Sequence, residues 1–372
     1  MSPSAGNPLN IAIIGAGLVS DYHHVPGLLL DPRARVAAVC DTDEALLEKR
    51  RADWEVEKIT TDPGEIFSDP EIDGVIIATP NFTHPALAIA AARNGKHIMC
   101  EKPLGLNAGQ VADMYEAAKT AGVVHMTAFT YRFAPSMRYL KHLVQNGDLG
   151  QPRHFRSQRF LDLPETSWGW RQYRDKGGAG DLFDMTIHRI DFAQDLLGPI
   201  TRICGSVANF APRTETIDGS PCAPSEVDDW SAIIGDFESG ATGVWEGTTL
   251  AKGYNRDGFG HEWAEINGSE ASAVYRLHEP NILLLGRHGG DLEPIEVPAE
   301  FLKPEESPRQ PADGEPATVF RYDLAWEFVS AILEDREATP SFWDGWSAQV
   351  IADATLDSRE QGRWVDIEQP AR

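Results

Sequence analysis

One stretch of the sequence, residues 177–198, places several carboxylates and a single histidine on one side of a predicted helix. Its apolar residues recur at helical spacing, and at about 100° per residue the polar side chains fall in one narrow stripe. The stripe consists of Asp181, Asp184, His188, Asp191 and Asp195. Asp184 and His188 lie one turn apart, so they can contact each other or a shared ligand. A carboxylate beside an imidazole could transfer protons or bind a metal ion.

The same stripe has simpler interpretations. It could be a narrow solvated face of a mostly buried helix, and Asp181 could be the N-cap that accepts the free N–H groups of the first turn. A zinc site would use Asp184 and His188, but no third ligand follows at convincing spacing and no cysteine pair accompanies them. We therefore expect no bound metal, and the choice among the other interpretations depends on the rest of the chain.

Length, charge and cysteine content restrict the class of protein. The 372 residues allow one to three domains, and the formal charge of −24 argues against nucleic acid or an anionic membrane as a partner. The four cysteines are scattered, which favours free thiols in a reducing compartment. The N-terminus has no basic region followed by an apolar stretch, so we expect no signal peptide, and the longest apolar runs are too short to span a membrane. Together these features predict a cytoplasmic location.

The elements that must position the helix begin with a glycine-rich turn. An apolar run over residues 10–14 ends in GAGLVS, where Ser20 replaces the usual third glycine, and a helical pattern continues through Leu30. Strand, glycine turn and helix in this order are the context of a dinucleotide-binding fingerprint. Gly15 permits the tight turn, Gly17 lets the backbone approach a pyrophosphate, and the helix N-terminus supplies N–H groups to it. The turn residues expected to bind the cofactor are Gly15, Ala16, Gly17, Leu18 and Val19.

The next strand indicates the cofactor preference. Residues 35–40 lead into Asp41, where a carboxylate is placed to accept hydrogen bonds from the adenosine ribose. The same carboxylate would repel a 2′-phosphate, and the flanking Thr42 and Asp43 provide no compensating arginine. We therefore predict NAD rather than NADP, although Asp41 could also cap the helix that follows it.

Three further strands, predicted over residues 74–79, 96–100 and 123–130, alternate with helical patterns and imply a parallel sheet. In open sheets of this kind, ligands bind beyond the carboxyl ends of the strands. The residues that follow the strands should therefore converge at one edge of the sheet. On the cofactor side they are Thr79, Pro80, Asn81, His84, Glu101 and Lys102, and the last strand is followed by Tyr131 and Arg132.

The motifs GAGLVS, CD, TPNFTH, EKPL and GDLFDMTIH together resemble the Gfo/Idh/MocA family of oxidoreductases, and SFWDGWSAQVIADATLDS resembles that family's C-terminal helix. The resemblance covers nearly the whole chain and implies an α/β protein. A doubly wound parallel Rossmann domain would occupy residues 1–132, and an α/β domain with a large open, mostly antiparallel sheet would occupy residues 133–372. The resemblance also implies a homo-oligomer, a dimer or tetramer, formed through the second sheet. The runs VDDWSAIIGDFES and ATGVWEGTTLA, joined near Gly240, predict a hairpin within that sheet.

The resemblance also assigns roles to the polar residues. The family's catalytic lysine falls on Lys102, and its helical aspartate and histidine fall on Asp184 and His188. In the reaction that this implies, His188 is the general base, Lys102 stabilises the developing alkoxide, and Asp184 orients His188 or holds an adjacent hydroxyl. The expected activity is the NAD-dependent oxidation or reduction of a secondary hydroxyl on a sugar, sugar acid, glycoside or polyol, with hydride passing to the nicotinamide.

Two other activities would use the same fold. A non-enzymatic NAD-sensing regulator is one, although the presence of both Lys102 and His188 argues against it. An NAD-dependent redox glycosidase is the other: it would oxidise a sugar hydroxyl, eliminate the aglycone, add water and reduce the ketone again. It would need the same lysine and histidine and a base for the carbon-bound proton, for which Tyr131 is the candidate. The sequence does not separate this glycosidase from a dehydrogenase.

Substrate-binding residues are expected around the segment that precedes the helix. Trp168 and Trp170 could stack on the apolar face of a sugar, and residues 132–176 contain nine Lys or Arg against four acidic residues. A carbohydrate with an anionic group, such as a uronate or sulfosugar, is therefore one hypothesis, and a neutral sugar or polyol is the other. The arginines could instead pair with acidic neighbours, and we assign Trp170 and Arg171 to the cofactor. The residues predicted to bind substrate are Tyr131, Arg132, Arg156, Gln158, Trp168, Asp184 and His188.

Overall fold

The computed structural model describes residues 7–255 and 258–372. Residues 1–6, on which part of the signal-peptide prediction rests, lie outside this description. The described residues form two β-sheets, one parallel and one mixed. No helix within them is both long and apolar enough to cross a bilayer.

Six strands in the N-terminal half form the parallel sheet. They are β1 (Leu9–Ile14), β2 (Ala34–Cys40), β3 (Lys58–Thr60), β4 (Gly74–Ile77), β5 (His97–Cys100) and β6 (His125–Thr127). Their spatial order is β3-β2-β1-β4-β5-β6, so the direction of winding reverses between β1 and β4. The central strands are nearly continuous apolar runs, as expected for strands that are covered on both faces. This is the doubly wound Rossmann arrangement that the sequence predicts.

Five helices connect these strands: α1 (Val25–Leu30), α2 (Glu44–Asp53), α3 (Pro63–Phe67), α4 (His84–Arg93) and α5 (Ala108–Ala121). Asp43, Asp62 and Asn107 cap α2, α3 and α5 by accepting backbone N–H groups of the first turn. The helix predicted after the glycine turn begins with a π-helical turn, Ser20–His24, which leads directly into α1. The short strand β3 is not predicted by the sequence pattern, because it has no apolar run of its own.

Nine strands form the second sheet. They are β7 (Pro152–Phe160), β8 (Ile200–Ala208), β9 (Trp230–Phe237), β10 (Thr242–Thr248), β11 (His261–Gly268), β12 (Ala271–Arg276), β13 (Ile282–Arg287), β14 (Glu293–Glu296) and β15 (Val365–Asp366). Their order is β14-β13-β12-β11-β7-β10-β9-β8-β15, and β7 with β10 is the only parallel pair among the described strands of this sheet. The predicted hairpin is confirmed, since β9 and β10 pair in antiparallel register on either side of Gly240. The sheet is therefore mostly antiparallel, as expected.

The described C-terminal half also contains six α-helices, and the first, third and last of them pack on this sheet. The six helices are α6 (Pro135–Gln145), α7 (Arg174–Gly177), α8 (Ile187–Leu197), α9 (Pro316–Val319), α10 (Asp323–Leu333) and α11 (Phe342–Gln361). A π-helical turn, Leu182–Thr186, leads directly into α8, so the predicted helix changes its winding between Asp184 and His188. Phe155 of β7 packs against both Trp245 of β10 and Phe192 of α8, and all three are fully buried.

The last helix, α11, contacts both halves of the chain. Phe342 at its start is fully buried in the core of the parallel sheet. The N–H of Ala108, at the start of α5, donates to Asp353 at 2.7 Å, and the N–H of Gly205, in β8, donates to Ser358 at 2.9 Å. The predicted division at residue 132 falls between β6 and β7, and it stays a prediction because α11 packs on both sheets.

Candidate active site

A cleft of about 1280 Å³ lies where the carboxyl ends of the parallel strands face the helix that carries His188. Sites for one small ligand typically measure roughly 300–1,000 Å³, so this cleft has room for a dinucleotide and a second molecule. The predicted residues that line it are Gly15, Gly17, Leu18, Val19, Asp41, Thr79, Pro80, Asn81, His84, Glu101, Lys102, Tyr131, Trp168, Trp170, Arg171, Asp184 and His188. The convergence expected from a parallel sheet is therefore present.

The glycine turn has the shape that a bound pyrophosphate requires. Gly15 has a φ of +101°, and a Cβ on it would lie 2.4 Å from the carbonyl oxygen of Ala78, so only glycine fits. At Gly17 the space within 4 Å of a Cβ is open in the described structure, which lets a ligand approach the backbone. Ser20 is fully buried and its hydroxyl donates to the carbonyl oxygen of Gly15 at 2.6 Å, so it replaces the third glycine without loss of packing. These residues fit a dinucleotide.

Asp41, at the end of the second strand, is fixed beside the glycine turn. Its carboxylate accepts the N–H of Ala16 at 2.7 Å and the N–H of Asp43 at 3.0 Å. Ala16 is itself fully buried, so it contributes its backbone to the turn and does not line the cleft. The capping role considered for Asp41 belongs to Asp43, which accepts the N–H of Leu46 at 3.0 Å. Asp41 therefore remains available at the cofactor end of the cleft.

Asn81 and His84 connect neighbouring loops of the cleft. Nδ2 of Asn81 donates to the carbonyl oxygen of Gly177 at 3.0 Å, which links the end of β4 to the glycines before the π-helical turn. The ring nitrogens of His84 lie 2.9 Å from the carbonyl oxygen of Pro103 and 2.8 Å from that of Thr79. Burial lowers the pKa of His84 despite these carbonyl contacts. Both side chains thus shape the cofactor side of the cleft by holding backbone.

Lys102, just beyond β5, forms an ion pair with Asp184. Its Nζ lies 2.8 Å from Oδ1 of Asp184 and 2.7 Å from the carbonyl oxygen of the same residue. Partial removal from water would by itself raise the pKa of Asp184, but Lys102 and the nearby Arg171 outweigh this effect and hold the pKa below its usual range. Glu101, next to the lysine, is held in turn by Nε2 of His24 at 2.9 Å. Two of the three N–H groups of the ammonium are used by Asp184, which leaves one for a ligand.

His188 lies on the same helix, four residues after Asp184. The residue is 7% exposed, and its ring makes edge-to-face contacts with Tyr131 and Phe129 at centroid distances of 4.8 and 5.7 Å. Within the described residues, its Nδ1 is buried without a hydrogen-bond partner. Burial, together with the positive charges of Lys102 and Arg321, lowers the pKa of His188 well below its usual range. The imidazole of His188 is therefore neutral at pH 7. The carboxylate of Asp184 contacts Lys102 and does not orient this imidazole.

The carboxylates of the predicted stripe are mostly buried, so the stripe is not a solvated face. Asp181 is fully buried and accepts the hydroxyls of Thr186 at 2.9 Å and Ser231 at 2.7 Å, and it does not cap the helix. The helix start is held by Asp228, whose carboxylate accepts the N–H groups of residues 180 and 182 at 2.8 and 2.9 Å. Burial raises the pKa of Asp228 to about 7, and the nearby Asp181 acts in the same direction.

The aromatic wall of the cleft is formed around the 3₁₀ turn Gly169–Gln172. The guanidinium of Arg213 lies 3.8 Å from the ring centre of Trp168, and that of Arg171 lies 4.4 Å from the ring of Trp170. Arg213 is fully buried and is held by Asp229 at 3.0 Å, so the indole of Trp168 rests on a fixed cation. The two tryptophans and Arg171 line the cleft, and all three are among the predicted site residues.

The prediction that Arg132 binds substrate is wrong. Its guanidinium is buried and donates to Asp191, Asp195 and Asp344 at distances between 2.5 and 3.0 Å. These three carboxylates belong to α8 and α11, so Arg132 joins the two helices behind the cleft. The same contacts account for Asp191 and Asp195 of the predicted stripe.

The predictions for Arg156 and Gln158 are also wrong, because both lie on the outer face of β7. Arg156 lies over the ring of Trp263 at 4.9 Å, and Gln158 accepts the indole N–H of the same tryptophan at 3.2 Å. Successive residues of a strand face opposite sides, so it is Arg159 that faces inward and lines the cleft. Within the basic segment 132–176, Lys141 also pairs with an acid, Asp195, so most of that positive charge is not presented to the cleft.

The structure adds cleft residues that the sequence interpretation omits: Tyr22, His23, Arg159, Leu163, Met185, Phe259 and Arg321. Arg159 could have been found by alternation along its strand, since Phe155 marks the buried phase. His23 follows the glycine turn, where a cofactor-side residue is expected. Arg321 lies 190 residues beyond Tyr131, which it contacts, and no local pattern signals it.

The described residues also restrict the metal-binding and disulfide chemistry of the protein. Across residues 7–255 and 258–372, no group of three or more His, Cys, Asp or Glu side chains is arranged to hold a metal ion. All four cysteines are free. The polar groups of the cleft are thus the lysine, the carboxylates, the histidines and the arginines described above.

Comparison with known proteins agrees with this geometry. The model "Oxidoreductase family, NAD-binding Rossmann fold" matches residues 9–129, and the model "GFO/IDH/MocA C-terminal domain" matches residues 137–274. Levoglucosan dehydrogenase from Pseudarthrobacter phenanthrenivorans is 30% identical over 97% of this chain and 98% of that protein. Myo-inositol 2-dehydrogenase from Thermotoga maritima is 32% identical over 65% of this chain and 69% of that protein. A solved structure of levoglucosan dehydrogenase with NADH and levoglucosan has a TM-score of 0.88 at 29% identity, covering 98% of this chain and 100% of that one.

The Rossmann sheet, the glycine turn and these matches define an NAD-dependent oxidoreductase. The chain belongs to the Gfo/Idh/MocA family, as its motifs indicate. Its cofactor is NAD, and the residues that would hold it are those of the glycine turn, Asp41 and the loops after β4 and β5.

Proposed function

We propose that this protein oxidises a secondary hydroxyl of a sugar or polyol with NAD, and reduces the corresponding ketone in the reverse direction. The observation that carries the proposal is the ion pair of Lys102 and Asp184 beside His188, in a cleft with room for cofactor and substrate. Relatives named as levoglucosan and inositol dehydrogenases support a carbohydrate substrate. Trp168 and Trp170 offer flat apolar surfaces to the face of a sugar ring.

Lys102 and His188 have complementary tasks in this reaction. The low pKa of His188 keeps its imidazole neutral, so a ring nitrogen can accept the proton of the substrate hydroxyl. The N–H group of Lys102 that Asp184 does not use can donate to the substrate oxygen as negative charge develops on it. When bound, NAD would accept the hydride from the carbon that carries this hydroxyl.

Asp184 is a positioning residue for Lys102 in this proposal. Its carboxylate and its carbonyl oxygen hold the ammonium from two directions, which restricts the lysine to one orientation. The side chain of Asp184 is 41% exposed, so its second carboxylate oxygen can also accept a hydroxyl of the substrate. The sequence leaves two roles open for Asp184, which are to orient His188 or to hold an adjacent hydroxyl of the substrate. The second role is compatible with the ion pair to Lys102.

The test is a substrate panel with purified protein and NAD. Levoglucosan, the inositols, neutral hexoses and uronates are offered free, and the hexoses and uronates also as p-nitrophenyl glycosides. NADH is followed by absorbance and nitrophenol release is measured in parallel. Lys102→Ala should abolish turnover, and Lys49→Ala, an exposed lysine on α2, is the matched control.

The outcomes separate the candidate activities. NADH formed in proportion to oxidised sugar supports the dehydrogenase. Glycoside cleavage without accumulation of NADH would identify the redox glycosidase instead. Near-normal turnover by Lys102→Ala, or no turnover of any carbohydrate, would contradict the proposal.

A further inference from the structure

Arg321 places a positive charge in the wall of the cleft, and none of the described acidic residues lies at hydrogen-bond distance from it. It lies in the 3₁₀ turn Phe320–Tyr322, directly before α10, and it lines the cleft. Its Nη1 lies 2.8 Å from Nε2 of His23, and its Nη2 lies 3.5 Å from the hydroxyl oxygen of Tyr131. Its Nε is buried and has no hydrogen-bond partner within the described chain. The guanidinium is therefore only partly satisfied by the protein.

Two other arginines at or beside the cleft are paired with carboxylates. Arg159 is paired with Glu262 at 3.0 Å, and Arg213 with Asp229 at 3.0 Å. Arginines of that kind are structural, because the acid balances the charge and accepts the N–H groups. Arg321 differs from them, since its hydrogen bonds within the described chain go to an imidazole and a phenol. A cation left in this state at the wall of a cleft is suited to a ligand that brings the negative charge.

The two side chains that hydrogen-bond Arg321 accept its N–H groups and keep their own protons as donors. A guanidinium only donates, so Nε2 of His23 must accept and the proton of that ring lies on Nδ1. Burial, together with the charge of Arg321, lowers the pKa of His23 far below its usual value, which keeps the ring neutral. The hydroxyl oxygen of Tyr131 accepts from Arg159 at 3.4 Å and from Arg321 at 3.5 Å. The phenolic proton is then directed away from both arginines, as a further donor.

This group of donors lies next to the proposed site of proton transfer. The ring of Tyr131 contacts His188 edge-to-face at 4.8 Å and lies under the guanidinium of Arg321 at 5.5 Å. A molecule whose hydroxyl reaches His188 can therefore reach Arg321 with another of its substituents. The ligand of Arg321 is in that case a part of the substrate.

We propose that Arg321 and Tyr131 bind an oxyanion carried by the carbohydrate substrate, so that the enzyme prefers a sugar acid to the matching neutral sugar. The proposal rests on the proposed function, because it names the substrate class of the same site. The planar fork of a guanidinium matches the two oxygens of a carboxylate and also serves a sulfonate. Since the chain has a formal charge of −24, an anion needs such a local cation to enter the cleft.

The proposal assigns the anion to a different place than the sequence-based hypothesis does. That hypothesis rests on the basic segment 132–176, whose Arg132 and Lys141 are paired with carboxylates behind the cleft. Arg321 lies far outside that segment and is brought to Tyr131 by the fold.

The experiment compares matched substrates in wild type, Arg321→Met and Arg321→Lys. Each pair is a neutral hexose and its acid: glucose with glucuronate, galactose with galacturonate, and glucose with its 6-sulfonate. Rates are measured as NADH formation, or as nitrophenol release if only glycosides react. Arg153→Met, an exposed arginine on β7, is the matched control. The NAD dissociation constant and the melting temperature of every variant are measured alongside.

Wild type should have the lower KM for the acid of at least one pair, and the carboxylate and sulfonate members show which oxyanion fits. Arg321→Met should raise that KM by roughly 10- to 100-fold, as expected for a lost charged hydrogen bond, and should change the KM of the neutral sugar by less than about threefold. Arg321→Lys should fall between, because it keeps the charge and loses the fork. If Arg321→Met does not fold, Tyr131→Phe should still raise the KM for the sugar acid more than the KM for the neutral sugar.

Three results would overturn the proposal: equal or better use of the neutral sugar by wild type, equal effects of Arg321→Met on both members of a pair, or a weaker NAD affinity in that variant. The last would place Arg321 on the cofactor. Absence of turnover with acids and neutral sugars alike is a different result, because it contradicts the proposed function itself.

Discussion

The ammonium of Lys102 lies 2.8 Å from Oδ1 of Asp184 and 2.7 Å from the carbonyl oxygen of the same residue. One side chain thus joins the end of β5, in the parallel sheet, to the helix that carries His188. The protein's own groups orient the donor, and a fixed, oriented charge stabilises a developing alkoxide most effectively. The geometry of the site therefore depends on how the two sheets are held together.

Replacing Asp184 with Asn should slow the reaction without loss of the fold. The amide keeps the shape and the carbonyl contact but removes the negative charge that holds Lys102. We expect kcat to fall by about 10- to 1,000-fold, within the range for a disturbed acid–base or electrostatic group. Steady-state rates and thermal melts check this, with the exposed Asp175→Asn on α7 as control. A fall of less than about threefold would show that Asp184 does not position Lys102.

Acid should destabilise the protein partly through His188. Burial and neighbouring cations lower its pKa in the folded state, whereas the unfolded chain has the ordinary value of about 6.5. Below about pH 6.5 the unfolded state therefore binds a proton that the folded state does not, and the free energy of unfolding falls as the pH falls. Relative to His188→Gln, wild type should lose up to about 1.4 kcal/mol per pH unit between roughly pH 6 and pH 5. Urea unfolding at several pH values measures this, and parallel curves for the two proteins would contradict it.

The Rossmann half of the fold could be predicted because its signals are local. The apolar run before Gly15, the glycine turn and Asp41 lie within one strand–helix–strand unit, and the strand order brings the later loops to the same edge. The hairpin around Gly240 has an equally local signal, since two alternating runs flank a turn residue. The family resemblance supplied the second sheet and the roles of Lys102, Asp184 and His188.

The contacts that were missed depend on strand phase or on distant parts of the chain. Arg156 and Gln158 lie on the opposite face of β7 from Arg159, because side chains alternate between the two faces of a strand. An error of one residue in this alternation therefore selects the wrong face. Asp228 reaches the start of the helix that carries His188 from 46 and 48 residues away. Arg321 meets Tyr131 across 190 residues. No spacing along the sequence encodes such pairs, because the packing of the second sheet creates them.

Alanine at Gly15 should affect the stability of the fold, whereas alanine at Gly17 should affect cofactor binding. At Gly15 a Cβ would lie 2.4 Å from a backbone oxygen at a φ of +101°, so Gly15→Ala should lower the melting temperature markedly. At Gly17 the space is open in the described structure, so Gly17→Ala should melt like wild type and bind NAD at least about tenfold more weakly, since the methyl group occupies the space of the pyrophosphate. Melting curves and NAD titrations measure both. Unchanged NAD affinity of Gly17→Ala would show that the cofactor does not approach this turn.

Asp41 should set the preference for NAD over NADP. Its carboxylate is fixed beside the glycine turn by the N–H of Ala16, where it would repel a 2′-phosphate. Asp41→Ser should therefore improve NADP binding. The ratio of the dissociation constants for NADP and NAD should fall by about tenfold or more, which corresponds to roughly 1.4 kcal/mol. Asp43→Ser is the matched control, because it removes the adjacent charge while serine can still cap α2. Equal effects of the two variants, or equal affinity of wild type for both cofactors, would contradict this assignment.

The outer face of the second sheet should form an interface between copies of this chain. Ile234 of β9 and Val244 of β10 are directly opposed in register and are 45% and 40% exposed, so they form one apolar patch on this outer face. On the neighbouring strand β7, Arg156 lies opposite Val244. Its Nη1 is 4.0 Å from Oε2 of Glu265 on β11, the next strand of the sheet. A central apolar pair with charged residues beside it is the usual composition of such an interface.

Light scattering at micromolar concentration should therefore give the mass of a dimer or tetramer for wild type. The double variant Ile234→Asp with Val244→Asp should give the monomer mass, because association would bury four unpaired carboxylates for each pair of facing sheets. Both substitutions lie at exposed strand positions, so the melting temperature of the monomer reports any separate effect on the fold. Leu292→Asp, at an exposed position beyond β13 and 43% exposed, is the matched control and should leave the mass unchanged. A monomeric wild type, or an oligomer that survives the double variant, would show that this face is not the interface.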